Sequence, residues 1–249
     1  QVHPADGDPA LSPDESGKPE AWVILDAQPG PGLYLGFCDG VTREDVAACL
    51  AAQGALDTLM NFVPVSSGDA FVIAAGTPHA IGAGITLVEP QFVTPGRRGV
   101  TYRFWDWDRL YDAQGRRDPK GAPRELHVER SLEVTAWHLP GGTPFVDGCR
   151  ATPQALDAGS GGLTRHRVID WPWFITERWT GTGQMTLPRT GTLWALTAVR
   201  GQGTLEVHGE QSTIRRGQSV VVPAAAGELT VTGRDLEILA TYSPTTRPE

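Results

Sequence analysis

Two stretches of this 249-residue chain follow one plan. In the first, Gly68 is followed by five residues of strand character and then by Ala74-Ala75-Gly76-Thr77-Pro78-His79; in the second, Gly217 is followed by five such residues and then by Pro223-Ala224-Ala225. Each copy reads as a glycine turn, one short strand and a second turn. A supersecondary unit that cannot bury its apolar face alone gains a core only beside others of its kind. The repeat therefore predicts two related β modules, and only the first copy carries a histidine at its second turn.

The 30 glycines and 20 prolines are scattered among short apolar runs, the punctuation of many short strands and turns. Strands are predicted at 21–27 and 33–37 around a Pro-Gly break, and residues 61–90 run as strand, turn, strand, turn, strand. Thr42 opens the clearest helix, with Glu44 and Asp45 at its positive end, Val46, Cys49 and Leu50 at helical spacing and Gly54 as its stop. In TYRFWDWDR, alternation predicts a strand with Tyr102, Phe104, Asp106 and Asp108 on one face and Arg103, Trp105, Trp107 and Arg109 on the other. Trp105 and Trp107 could serve as a sugar-stacking platform, but strand aromatics more often serve the core, and alternation alone does not decide between the two. Charged, Gly- and Pro-broken residues 112–125 mark a change of module. From about 126 short strands resume, beginning with LHVERSL and EVTAWHL, before a Pro-rich tail, SPTTRPE. The expected fold is mostly β, with one module over 1–115, interrupted by a helical insertion at about 42–60, and a second over 126–243.

Residues two apart on a strand share a face, so Gln1 and His3 of QVHP can converge on one point. Glu20 precedes the strand AWVILDA, and His79 follows a Gly-Thr-Pro turn. One amide, two imidazoles and one carboxylate suit zinc or a neighbouring first-row metal, with a position left for water or substrate. Cys38, Cys49 and Cys149 lack the spacing of a structural zinc site and read as isolated reduced thiols. Across Pro19 the chain is extended, which puts the Lys18 ammonium on the face of Glu20.

A net charge of −8, from 21 basic against 29 acidic residues, argues against nucleic acid or an anionic membrane surface as the main partner. No apolar stretch is long enough to span a bilayer. Three cysteines cannot all pair within one chain, which fits a reducing, cytoplasmic compartment. The chain starts at Gln1 inside a predicted strand, so an N-terminal portion is expected upstream of QVHP, and an open sheet edge there predicts low stability.

Taken in order, QVHP, GKPE before a strand, NFVPVSSGD, GTPHAIGAGI, EPQ and TYRFWDWDR resemble type I mannose-6-phosphate isomerase of the shorter bacterial kind, closely over most of residues 1–110. The repeat resembles the second motif of the cupins, in which Gly, five residues, Pro-x-Gly and a ligand His follow in order. Here the first copy has Ala74 for Pro, and the second has Pro223 but neither the Gly nor the His. The resemblance implies two cupin-type jelly rolls, the first metal-binding and catalytic, the second degenerate. It further implies one zinc ion per chain on Gln1, His3, Glu20 and His79, an active-site lysine at Lys18 and an active-site arginine at Arg103. The substrate would be a small sugar phosphate, mannose 6-phosphate and fructose 6-phosphate being interconverted through an enediol. One string departs from the family: QFVTPGRRGV stands where a polar Gln-Asn-Ser-Asp stretch usually precedes the TYR motif.

Arg103, always charged, suits the substrate's oxygens or its phosphate. Lys18 is a candidate proton carrier or an electrostatic partner of the sugar, and Glu89 and Gln91, two apart, can hydrogen-bond the sugar or the ligands. The residues name neither the proton-transferring base nor the oligomeric state. Two other classes share this ligand set. One is another metal cupin enzyme such as an iron-dependent oxygenase, which Gln1 disfavours because a facial triad is expected there. The other is a sugar-binding or regulatory cupin without turnover.

Overall fold

The computed structural model describes residues 1–28, 30–158, 161–187 and 191–244. The chain divides into two compact units, Gln1–Arg150 and Ala151–Glu249. The first contains β1 (Glu15–Ser16), β2 (Glu20–Ala27), β3 (Gly32–Phe37), α1 (Arg43–Ala51), a 3-10 turn (Leu56–Leu59), β4 (Met60–Pro64), β5 (Ala70–Ile73), β6 (His79–Ile81), β7 (Ile85–Val88), β8 (Arg98–Gly99), β9 (Leu110–Tyr111), β10 (Ala122–Pro123), α2 (Val128–Val134) and α3 (Gly142–Cys149). Two three-stranded sheets, β5-β2-β7 and β4-β3-β6, carry its core. Trp22 and Ile24 of the first sheet meet Leu33, Leu35 and Val63 of the second, with Val146 and Cys149 of α3 added. By the strand period of two, Glu20 lies on the same face of β2 as Trp22 and Ile24, at the end of this apolar interior.

The helical insertion forms as its local chemistry dictates. Thr42 caps α1 reciprocally with Asp45: Asp45 N donates to Thr42 Oγ1 at 3.2 Å, and Thr42 N donates to Asp45 Oδ2 at 2.9 Å. Thr42→Ala is expected to cost about 1 kcal/mol of stability, read as a lowered thermal midpoint.

Residues 126–150 correct the sequence expectation. LHVERSL and EVTAWHL are not strands: Val128–Val134 is helical, and Gly142–Cys149 forms a second helix that the strand pattern concealed. Leu132 is buried and Val128 packs beside it, an i, i+4 pair that turns one helical face inward. Residues 102–109 also differ from the predicted strand. Only Tyr102 is bridged, to Val2, and backbone φ turns positive at Trp107 and Asp108.

The second unit contains β11 (Gln154–Ala158), β12 (Leu163–Asp170), β13 (Ile175–Leu187), β14 (Trp194–Val207), β15 (Glu210–Arg215), β16 (Ser219–Val222) and β17 (Leu229–Tyr242). They form one sheet in the order β11-β12-β13-β17-β14-β15, with β16 also on β14. In place of the short strands expected from about 126, β13, β14 and β17 run long, with irregularities inside them. Register shifts fall between Gly181 and Gly183 in β13 and on either side of Arg200 in β14, so those strands bend without ending. The end of the predicted tail, residues 245–249, lies outside the described residues.

The repeat is visible as matched hydrogen bonds. Asp69 N donates to Ser66 O and Thr77 N to Ala74 O in the first copy, and Gln218 N to Arg215 O and Ala226 N to Pro223 O in the second. Five residues past each glycine, Ile73 faces Glu20 and Val222 faces Trp194. Trp194 thus takes the position that Glu20 holds in the first copy, stacked on Tyr242 with ring centroids 4.4 Å apart. The position matching His79 is the exposed Glu228. Where one copy has a polar cluster, the other has an aromatic core. Among the described residues no helix is long and apolar enough to cross a membrane.

Candidate metal centre

The QVH segment is held on both edges by backbone hydrogen bonds, Val2 forming an isolated bridge with Tyr102. Gly76 N donates to His3 O and His79 N to Gln1 O, while Val2 and Tyr102 exchange N–H···O bonds, all four at 2.9 Å. Val2 is fully buried in a cluster with Phe37 and Phe104, and the residues on either side of it project to the opposite face. His79 opens β6, opposite Leu35. Its turn requires glycine at Gly76, where φ is +78 and a Cβ would stand 2.9 Å from the Ala136 Cβ. Gly17 meets a similar demand, since a Cβ there would lie 2.7 Å from Pro4 O and would push Lys18 and Glu20 away from His3.

His3, Glu20 and His79 converge. His3 Nε2 lies 3.2 Å from Glu20 Oε2 and His79 Nε2 lies 3.1 Å from Glu20 Oε1. Lys18 Nζ is 3.3 Å from Glu20 Oε2, and Gln91 Nε2 donates to that same oxygen at 3.3 Å. Gln1 reaches His79, with its Nε2 3.0 Å from His79 Nε2. Among the described residues, His3, Glu20 and His79 form the one group of three such side chains able to hold a metal ion, and all three are buried.

The backbone fixes how these groups face one another. His3 Nδ1 is 2.9 Å from Val100 O and His79 Nδ1 is 2.8 Å from Thr77 O. A carbonyl oxygen only accepts, so each ring carries its hydrogen on Nδ1 and turns the Nε2 lone pair inward. Burial pushes His79 down to about 4, which leaves that ring neutral at pH 7. Two lone pairs and a carboxylate therefore meet in a dry site, and His3 Nε2 and Glu20 Oε1 have no hydrogen-bond partner. Converging buried acceptors are costly unless a cation stands among them, and two imidazoles with a carboxylate are a ligand set for a divalent metal. The residues present fit such an ion.

A cavity of about 190 Å³ opens beside this centre, lined by Gln1, His79, Arg103, Trp105, Trp107 and Arg124 among others. Among the described residues Arg103 has no carboxylate within ion-pair distance; Asp106 is taken instead by Arg109 at 3.6 Å and Arg124 at 3.4 Å. Its guanidinium is therefore available to a ligand. Glu89 accepts from Trp22 Nε1 at 3.2 Å. Burial first, and then the charge of Glu20, raise its carboxyl above the ordinary range.

Trp105 and Trp107, for which the strand pattern favours the core without deciding it, are half-buried and line the cavity. Asp106, Trp107, Asp108 and Arg109 form a tight turn closed by Arg109 N donating to Asp106 O at 3.1 Å, with φ of 53° at Trp107 and 51° at Asp108. This is the type I′ pattern, which favours Asn-Gly, and a left-handed backbone costs an ordinary L residue roughly 1–2 kcal/mol. Arg124, which the sequence reading passed over as part of a linker, joins the same wall. Only its charge marked it.

Comparison with known proteins then places the chain. Residues 166–243 match the family described as mannose-6-phosphate isomerase, cupin domain. The mannose-6-phosphate isomerase of Streptococcus mutans serotype c is 32% identical over 243 residues, which cover 98% of this chain and 69% of that protein. The chain belongs to the mannose-6-phosphate isomerase family. Mannose-6-phosphate isomerase ManA of Bacillus subtilis is 28% identical over 237 residues, covering 94% of this chain and 67% of that protein. In fold, the chain is similar to the crystal structure of the Bacillus subtilis mannose 6-phosphate isomerase, with a TM-score of 0.77 at 21% identity, over 96% of this chain and 69% of that one. A phosphomannose isomerase from Salmonella typhimurium has the same fold at a TM-score of 0.62 and 13% identity, over 98% of this chain and 75% of that one. The mostly β, cupin-type architecture expected from the repeat is the family's own.

Proposed function

We propose that this chain interconverts mannose 6-phosphate and fructose 6-phosphate through an enediol, using one zinc ion held by Gln1, His3, Glu20 and His79. The observation that carries this reading is the buried meeting of the His3, His79 and Glu20 lone pairs, with both ring Nδ1 hydrogens committed to backbone carbonyls. Gln1 completes the set, since a half-turn about its Cγ–Cδ bond presents the amide oxygen where its nitrogen now lies. Zinc at this centre supplies a Lewis acid for the substrate's carbonyl and hydroxyl oxygens. Among common divalent ions, zinc suits a set rich in imidazole that leaves a position open.

The chain's own residues do the rest. The isomerisation removes the proton on C2 of the aldose and returns it at C1, while a second proton moves between O1 and O2. Lys18 and Glu89 are titratable side chains beside Glu20 that can exchange protons with the sugar, and burial, then the charge of Glu20, raises the Glu89 carboxyl above its ordinary range. Arg103, lining the cavity with no carboxylate partner among the described residues, steadies the negative charge that develops on the sugar oxygens or holds the phosphate in its planar fork.

The test is a coupled assay for fructose 6-phosphate formed from mannose 6-phosphate, run on the protein as purified, after chelation and after zinc is restored. Turnover that disappears on chelation and returns with zinc is expected. One equivalent of bound zinc without turnover would move the assignment to a sugar-binding cupin.

A further inference from the structure

We propose that Trp107 is a substrate-binding residue, its indole forming the wall against which the substrate's carbon chain lies. The inference rests on the isomerase reading above and adds to it a surface that binds the sugar's carbon chain. Trp107 lines the same small cavity as Gln1, His79 and Arg103, so a ligand that reaches the metal centre and the free guanidinium passes along its ring.

The ring is held as a fixed surface. Arg109 lies over it at 4.7 Å from the ring centroid, and Trp105 and Tyr34 stand beside it with centroids at 5.2 and 6.0 Å. Trp105 Nε1 donates to Asp108 Oδ1 at 2.9 Å, tying the neighbouring ring to the same turn. Asp106, at the start of the turn, accepts from Tyr111 Oη at 2.7 Å and is paired with Arg109 and Arg124. Inside this clamp the two central positions, where Asn-Gly would turn without strain, are Trp107 and Asp108. Strained backbone persists where the surroundings over-determine it, and it gathers at ligand sites. An ordinary loop turn has no need of a tryptophan there; a cavity wall does. An indole presents a rigid apolar face at little entropic cost, matched to the C–H face of a sugar, while the polar edge of the sugar is left for Arg103 and the metal centre.

Trp107→Ala and Trp107→Phe test this on the zinc-loaded protein. The alanine variant is expected to raise KM for mannose 6-phosphate about tenfold with kcat within about threefold, and the phenylalanine variant to recover most of the loss. Unphosphorylated mannose should lose by the same factor, since the wall acts on the carbon chain and not on the phosphate. KM within twofold of wild type in the alanine variant would overturn the proposal. So would a fall in kcat and thermal midpoint together that phenylalanine does not restore, which marks a purely structural ring. If the wild type turns over no sugar phosphate, the isomerase reading fails by itself, and calorimetry with mannose 6-phosphate decides the wall. Tenfold weaker binding to the alanine variant would support it, and equal binding to the two proteins, or none to the wild type, would overturn it.

Discussion

Glu20→Gln is expected to abolish zinc binding and lower turnover by about a thousandfold or more, yet leave the metal-free protein more stable than wild type. The two halves of that result have one cause. In the metal-free wild type the Glu20 carboxylate faces two ring lone pairs, with both imidazoles holding their hydrogens on Nδ1. An amide of the same shape can donate to one of those Nε2 atoms, and a buried hydrogen bond gained this way is worth roughly 1 kcal/mol. The same change removes the negative charge that a divalent ion needs. Zinc at a hundred times its dissociation constant should therefore raise wild-type stability by about 2.7 kcal/mol and leave the variant's unchanged. Thermal denaturation of both proteins, with zinc and with chelator, reads all four values. A metal-free variant less stable than wild type that still takes up zinc would mean that Glu20 serves as a structural ion-pair partner of protonated histidines.

Glu177→Ala is expected to destabilise the second unit by about 3–5 kcal/mol, the cost of leaving buried partners of a charge unpaired. Glu177 is fully buried at the centre of a satisfied network. Arg165 donates to it in a fork, Nε at 2.9 Å and Nη2 at 2.8 Å, while Trp179 Nε1 and Tyr242 Oη each donate at 2.8 Å. Burial first, and then the carboxylate that accepts its proton, raise the Tyr242 hydroxyl well above the usual tyrosine range. Removing the carboxylate strands a guanidinium, an indole N–H and a hydroxyl together. Replacing Glu177 and Arg165 jointly by Leu and Met should return much of the loss, because an apolar pair leaves fewer unpaired groups. Urea titration followed by the signal of the Trp179, Trp194 and Tyr242 cluster gives the measurement. A loss below about 1 kcal/mol for the single variant would mean that water reaches this network and replaces the carboxylate.

Much of the candidate metal site was legible in the chain because its determinants are local. The period of two along QVH sends Gln1 and His3 one way and Val2 the other, and the Gly-Thr-Pro turn delivers His79 at the start of a strand. The Thr42 cap likewise lies within three residues of its partner, Asp45. The glycine repeat predicted two related modules, and its turns carry the same hydrogen bonds in both copies.

What failed to show in sequence were features decided by contacts made far along the chain. Alternation in residues 102–109 has the period of a strand, but the clamp on Asp106 from Tyr111 and Arg124 bends it into a left-handed turn. Residues 128–134 are rich in β-branched and polar types, yet the pocket around Leu132 makes a helix the better burial. In place of the short strands expected in the second unit, β13 and β14 run long, because pairing with β17 on one side and β12 or β15 on the other holds those strands together. Sequence alone determined which residues could ligate and where the turns fall, since both follow from bonds within a few residues. Tertiary structure decided which groups face them across the cavity, since Arg103, Trp107 and Arg124 reach His79 only when separate segments pack, and no local preference encodes that meeting.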